Sequence, residues 1–311
     1  MSAPLLRAQT ARPKYVVAWL SPVSASDSLG DVTVFRSTLK ELGYVEGRDY
    51  ALEWRYAEGK LDRLADFARE LIALKPTVIV TASSAAVATL QKATATVPIV
   101  FATASSPVEQ GFVKSLARPG GNITGVTLRS EVGGKLLELV RDCLPSAHRI
   151  ALLEHESDTY TKTSVANYRK NAAPLRYELS VVLVQNAEGL ARAFSEVRAL
   201  KADAVLVPQL SLFVQHVKAV AELAQKARVP LFSQFRATTD NGGLLSYFSD
   251  TRENYRRAAV LVDKIFSGAR PDALPVEEPN RYLLVVNTRS AKALGINLPQ
   301  ALLLRADEVI E

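Results

Sequence analysis

Leu116-Ala-Arg-Pro-Gly-Gly-Asn-Ile-Thr-Gly-Val126 and Gly242-Gly-Leu-Leu-Ser-Tyr247 decide the fold, because each stands where one α/β half gives way to the other. Working back from the first, Tyr15-Val-Val-Ala-Trp-Leu20 is a continuous apolar run, as expected of a parallel strand buried on both faces. A helix over residues 34–42 follows, stopped by Gly43, and then an alternating strand over residues 50–56. In residues 61–74 Leu61, Leu64, Ala65, Ala68, Leu71 and Ile72 fall on one helical face. Strands over 78–82 and 98–102 flank a helix over 85–93 opened by Ser83 and Ser84, and a short helix over 110–116 leads into the first stretch.

Between the two stretches the order repeats. Strands over 149–153, 179–184, 204–207 and 230–233 alternate with helices over 162–176, 190–200 and 213–227. Beyond the second stretch, a strand over 244–248, a helix over 254–267 and a strand over 282–286 are too few for a third domain. They must complete the two sheets already begun, with three chain crossings. The expected fold is therefore α/β: two doubly wound parallel-sheet lobes joined by a three-crossover hinge. Residues 14–126 plus 242–275 form lobe one and residues 127–241 plus 276–311 form lobe two. Residues 1–13 read as a flexible N-terminal segment.

Bulk properties agree with a two-lobed globular chain. At 311 residues and 48% hydrophobic it is long enough for two cores, and no apolar run approaches the ~20 residues of a membrane-spanning helix. The net charge of +6 is thinly spread, without the Lys/Arg block and interleaved aromatics that nucleic acid favours, so no nucleic-acid partner is expected. Cys143 is the single cysteine, which excludes an intrachain disulfide and a cysteine-based metal site. The first 13 residues lack the apolar core of a signal peptide. The chain is then cytoplasmic, or its signal has been removed.

Ligands of open α/β sheets bind beyond the carboxyl ends of the strands, at a topological switch point. That rule selects Ser26 and Tyr56 after the first two strands, Ser83 and Ser84 after the third, and Ser106 after the fourth. In the second half it selects Asp158, Gln209, Gln234 and Arg236. Ser83-Ser84 combines hydroxyls with the free N–H groups of a helix start, a receptor for carboxylate or phosphate, though the same pattern serves a plain N-cap. Asp158 suits a ligand ammonium or the cap of the following helix. Arg236 suits a ligand carboxylate or a surface ion pair. Phe213 and Tyr247 suit stacking on a ligand or ordinary core packing.

Glu154-His-Glu-Ser-Asp158 resembles a metal cluster, but neighbours in an extended segment point opposite ways, which argues against one. Phosphate-binding loops, dinucleotide fingerprints and nucleophile elbows are missing, so catalysis has no support and no cofactor is called for.

Many ordered motifs then converge on one family. They include Leu42-Gly-Tyr-Val-Glu-Gly47, Ala57-Glu-Gly-Lys-Leu-Asp-Arg-Leu64, Pro98-Ile-Val-Phe101, the two opening stretches, and Tyr255-Arg-Arg-Ala-Ala259. Val262-Asp-Lys-Ile265, Leu274-Pro-Val-Glu277, Ala291-Lys-Ala-Leu-Gly295 and Ala306-Asp-Glu-Val-Ile-Glu311 continue them. From residue 14 to the end the chain resembles the substrate-binding proteins of bacterial ABC transporters, similar to the tryptophan/phenylalanine-binding TrpX type. The resemblance implies a type 1 periplasmic-binding-protein fold, monomeric, that closes on a small solute and presents it to permease subunits. It also implies export to the periplasm with a signal peptide removed, and no membrane insertion.

The chain departs from the family at three strand ends. Ser105-Ser-Pro107 stands for Gly-Asp-Pro, Glu154-His-Glu156 for Trp-Asn-Pro, and Gln209-Leu-Ser211 for an Asp-Pro. The expected solute is a small anionic or zwitterionic molecule, an amino acid or an aromatic or other small carboxylate. Ser83, Ser84 and Ser106 would take its carboxylate, and Asp158, Gln209 and Gln234 its other end. The alternative on the same fold is the ligand-sensing domain of a regulator or receptor.

Overall fold

Apolar runs become central strands in the computed structural model, which describes residues 13–128, 132–158, 160–279 and 281–311. The expected flexible segment thus lies, up to residue 12, outside the described residues. In β1 (Tyr15–Ser21) Val17, Ala18, Trp19 and Leu20 are all buried, so helices must cover both faces. The chain continues through α1 (Ala25–Glu41), β2 (Tyr50–Tyr56), α2 (Leu64–Ala73), β3 (Val78–Thr81), α3 (Ser84–Ala93), β4 (Ile99–Ser105) and β5 (Ile123–Leu128). These strands form one parallel sheet in the order β2-β1-β3-β4-β5. The order reverses beside β1, so a crevice opens at the carboxyl ends of β1 and β3.

The second unit runs through α4 (Val132–Cys143), β6 (Arg149–His155), α5 (Thr161–Ala172), β7 (Glu178–Val184), α6 (Leu190–Ala199) and β8 (Ala204–Val207). It goes on through α7 (Ser211–Gln215), α8 (Val217–Ala227), β9 (Leu231–Ser233), α9 (Arg236–Asp240) and β10 (Leu245–Ser249). After α10 (Thr251–Phe266) come β11 (Tyr282–Asn287), α11 (Thr288–Leu294), α12 (Gln300–Arg305) and β12 (Glu308–Ile310). The second sheet has the order β12-β11-β10-β9-β8-β6-β7, parallel except for the β10–β11 pair. Each sheet has a buried apolar cluster on both faces. A fully buried Val, Leu or Phe within them contributes about 1.5–3 kcal/mol through removal of its surface from water.

The chain passes between the sheets three times: between Leu128 and Val132, between Ser249 and Thr251, and between Glu277 and Tyr282. The second crossing corrects the expected assignment of residues 242–249 to lobe one. Leu245 and Ser246 pair with Phe232 and Ser233, which puts this strand in the second sheet. The following helix α10 returns, burying Tyr255, Ala258, Ala259 and Val262 against β1, β3 and α1. Asp250 starts that helix by accepting from the Arg252 N–H at 3.1 Å.

The opening stretch proves to be a strap. Val276 N–H donates to Leu116 O at 2.8 Å, Thr124 Oγ1 donates to Leu274 O at 2.7 Å, and Val126 bridges to Glu277. Gly125 is required there because a Cβ would lie 2.2 Å from Phe101 O. Two expected helices also differ. Residues 110–116 form turns instead, tied by Phe112 N–H to Pro107 O at 2.8 Å and Lys114 N–H to Pro119 O at 2.9 Å. The helix expected over 213–227 is broken at His216 (φ −109°, ψ 28°), which frees α7 to lie across the end of β8 as a separate short piece.

Candidate functional site

Beyond β3 the backbone is extended at Ser83 (φ −154°, ψ 136°) before α3 begins, and the Ser83 side chain makes no cap hydrogen bond. The first N–H groups of any helix have no partner within it, so this helix end presents donors and partial positive charge. Ser84 is fixed differently: its Oγ accepts from Ser105 N–H and from Gln110 Nε2, each at 3.2 Å. Gln110 Nε2 also donates to Ser105 O at 2.6 Å, binding the ends of β3 and β4 into one platform. On β1 Trp19 stacks at 5.9 Å on Tyr255, which arrives from α10. An apolar surface thus lies beside the polar one.

The opposite wall belongs to the second sheet. Asp158, only 8% exposed, accepts from Tyr160 N–H at 2.9 Å through Oδ1. Burial holds its carboxyl above the usual aspartate range, opposed by that hydrogen bond and by nearby His155. Gln209 follows β8, with its N–H donating to Gln234 Oε1 at 3.4 Å, and Leu210, Ser211 and Val214 continue the wall along α7. Between the walls is an open-mouthed cavity. Its floor on the first side is Trp19, Ser83, Ser84 and Ser105; its roof on the second is Asp158, Tyr160 and Gln209. Among the described residues its lining holds one acid, Asp158, and no lysine or arginine.

Behind the second wall Glu154 is completely buried. It accepts from Ser164 Oγ at 2.5 Å and Thr161 Oγ1 at 3.4 Å. Burial pushes its carboxyl up to about 8, against the hydrogen bonds from Ser164 and Thr161, with the neighbouring Asp158 raising it further. The rest of that acidic run diverges: His155 Nε2 meets Gln185 O at 3.0 Å, and Glu156 is exposed. Among the described residues no group of three or more His, Cys, Asp or Glu is placed to hold a metal.

Of the residues selected from sequence, Ser83, Ser84, Asp158 and Gln209 line the cavity together, and Gln234 lines a smaller one adjoining it. Ser106 does not; Ser105 takes that place. An extra residue on β4 between Phe101 and Ala104 shifts the pairing with β5 and inverts the alternation, leaving Ser106 buried at φ 45°. Ser26 is exposed on α1, 2.8 Å from the Ser24 hydroxyl. Tyr56 stacks on Trp54 at 6.0 Å, outside the cavity lining.

Phe213 is wholly buried in the core of the second sheet. Arg236 is spent on Glu308 at 2.5 and 2.6 Å and on Asp240 at 3.2 Å. Tyr247 stacks on Tyr282 at 5.5 Å, in a separate depression. Sequence reasoning missed Trp19, which looked like any strand-core residue, and Tyr255, which lies in a helix far along the chain. No local signal marks Tyr255, since only the return of α10 brings it to β1.

Residues 17–310 match the family model described as ABC transporter substrate binding protein. The chain belongs to that family. Its members are solute-binding proteins rather than enzymes, and they work outside the cytoplasmic membrane. This substrate-binding protein is 25% identical over 262 residues to a tyrosine-binding protein of Clostridioides difficile, covering 84% of this chain and 75% of that one. It superposes on a conserved domain protein of Vibrio cholerae with a TM-score of 0.90 at 25% identity, covering 95% of this chain and 99% of the other. It also superposes on an ABC domain of Streptococcus pneumoniae in complex with L-Trp, with a TM-score of 0.87 at 25% identity, covering 94% and 100%. The architecture is the type 1 periplasmic-binding-protein fold. Among the described residues no helix is long and apolar enough to cross a membrane.

Proposed function

We propose that this protein is the solute-binding component of an ABC importer. It closes two lobes around a small zwitterionic carboxylate, an aromatic amino acid foremost, and delivers it to permease subunits. The observation that carries this reading is the pairing of unlike walls around one cavity: a buried acid, Asp158, on one side, and Ser83 with the start of α3 on the other. A zwitterion fits that polarity in one orientation. Its ammonium pairs with Asp158, and its carboxylate takes the Ser83 hydroxyl and the free N–H groups of the helix start. Trp19, stacked on Tyr255, supplies an apolar face for the ring. The relatives that bind tyrosine and L-Trp support the same class.

The three crossings form the hinge. Ligand that touches both walls selects the closed state, and the permease distinguishes closed from open. The protein acts in the periplasm as a monomer, with no nucleic-acid partner and no membrane insertion.

Calorimetric titration with L-tryptophan, L-tyrosine, L-phenylalanine, aliphatic amino acids and sugars tests the reading. Binding is expected for the aromatic amino acids, with Ser83→Ala weakening it by about 1–3 kcal/mol through loss of a hydrogen bond to a charged group. A screen that finds sugars bound and amino acids silent would overturn it.

A further inference from the structure

A second cavity opens beside the first and is reached past shared walls, Ser105, Tyr160 and Gln209. It is small and is lined by α5, Gln234 and the ends of α4 and β10, with no charged side chain in its lining among the described residues. Three polar groups on α5 define its chemistry. Asn167 Nδ2 is buried and interacts with the nearby Tyr160 hydroxyl without the geometry of a well-formed hydrogen bond. The Tyr168 hydroxyl accepts from Gln234 Nε2 at 2.9 Å, which leaves its own proton to donate. Ser164 has already given its proton to Glu154, so towards the cavity it only accepts.

Two donors and one acceptor around an uncharged space match a hydroxyl, which needs both. A second carboxylate does not fit, because among the described residues no cation lines the space to offset its charge. The backbone makes room for this arrangement at Gly133, where a Cβ would lie 3.1 Å from Tyr168 Cζ. A buried donor without a well-formed hydrogen bond costs stability in the empty protein, and that cost disappears when a ligand oxygen arrives.

We infer that this annex is a specificity subsite for a neutral hydroxyl at the end of the solute remote from its carboxylate, read by Asn167, Tyr168 and Ser164. The inference rests on the carboxylate-binding reading of the main cavity and extends it from an aromatic carboxylate to a hydroxylated one.

Titration calorimetry with two ligand pairs tests it: L-tyrosine against L-phenylalanine, and 4-hydroxybenzoate against benzoate. In each pair the hydroxylated member is expected to bind roughly 3- to 10-fold tighter, the range of one buried hydrogen bond. Asn167→Leu and, separately, Tyr168→Phe should bring each ratio close to one. The ratio is taken within one variant, so a general loss of stability or closure cancels from it. Equal affinities within both pairs in the unaltered protein would overturn the annex and leave the carboxylate reading standing. A preference that survives both substitutions would overturn it too. Failure of all four ligands to bind would overturn the main-cavity reading, and the annex with it.

Discussion

The two walls of the cleft are built on the same βα architecture and have opposite chemistry. The first-lobe wall is made of hydroxyls, a helix start and a tryptophan, with no acid or base among the described residues that line it. The second-lobe wall carries Asp158 at the cavity and Glu154 behind it, both buried and neither paired with a cation among the described residues. One wall therefore receives negative charge at little cost, while the other holds acid groups that burial opposes. The difference gives the cleft a direction. A ligand with one charged end of each sign satisfies both walls only when the lobes close in one sense.

Removing the acid from the second wall should break this asymmetry most. Asp158→Asn keeps the shape and an acceptor for Tyr160 N–H, but leaves a ligand ammonium without its counter-charge. The expected loss of aromatic amino-acid affinity is about 2–4 kcal/mol, as for truncation of a buried charge pair. Benzoate, which has no ammonium, should bind no worse. Titrating both ligands into the variant checks the contrast, and an equal loss for the two would mean that Asp158 acts on the shape or closure of the cleft and not as the partner of the ammonium.

A smaller effect is expected from the acid behind that wall. Glu154 ordinarily titrates at 4.5 and in the folded protein at about 8. Between those values the folded state keeps a proton that the unfolded chain has released. Stability therefore falls as pH rises from about 4.5 to about 8 and levels off above. Denaturant midpoints over that window should show the decline, and Glu154→Gln should flatten it. The first wall contributes no comparable slope, so a slope that persists in the variant would assign the titration elsewhere.

The smallest effect should come from a residue outside both walls. Arg236→Ala breaks an exposed ion pair with Glu308, worth about 1 kcal/mol or less, and should leave ligand affinity unchanged. A large loss of affinity would put Arg236 back among the ligand-binding residues.

Much of this was legible because strand ends can be found from apolar runs. Ser83, Ser84, Asp158 and Gln209 each follow such a run, and the carboxyl-end rule then brings them together without any coordinates. Ser106 failed by one residue because a bulge inverts the alternation of β4, and nothing in Ser105-Ser-Pro107 announces a bulge. Arg236 and Phe213 failed for a related reason. Their positions after a strand were right, but the partners that claim them, Glu308 and the core of the second sheet, lie elsewhere in the chain or in space.

The sequence by itself determined the alternation of strand and helix, the two-lobed class and the helix start at Ser83, since these depend on apolar period and on neighbours within a few residues. Only the tertiary structure decided that β10 joins the second sheet while α10 returns to the first, that Tyr255 stacks on Trp19, and that a small cavity adjoins the main one. Those outcomes rest on which buried surfaces meet between segments that are not neighbours in the chain, and such pairings leave no mark on local periodicity.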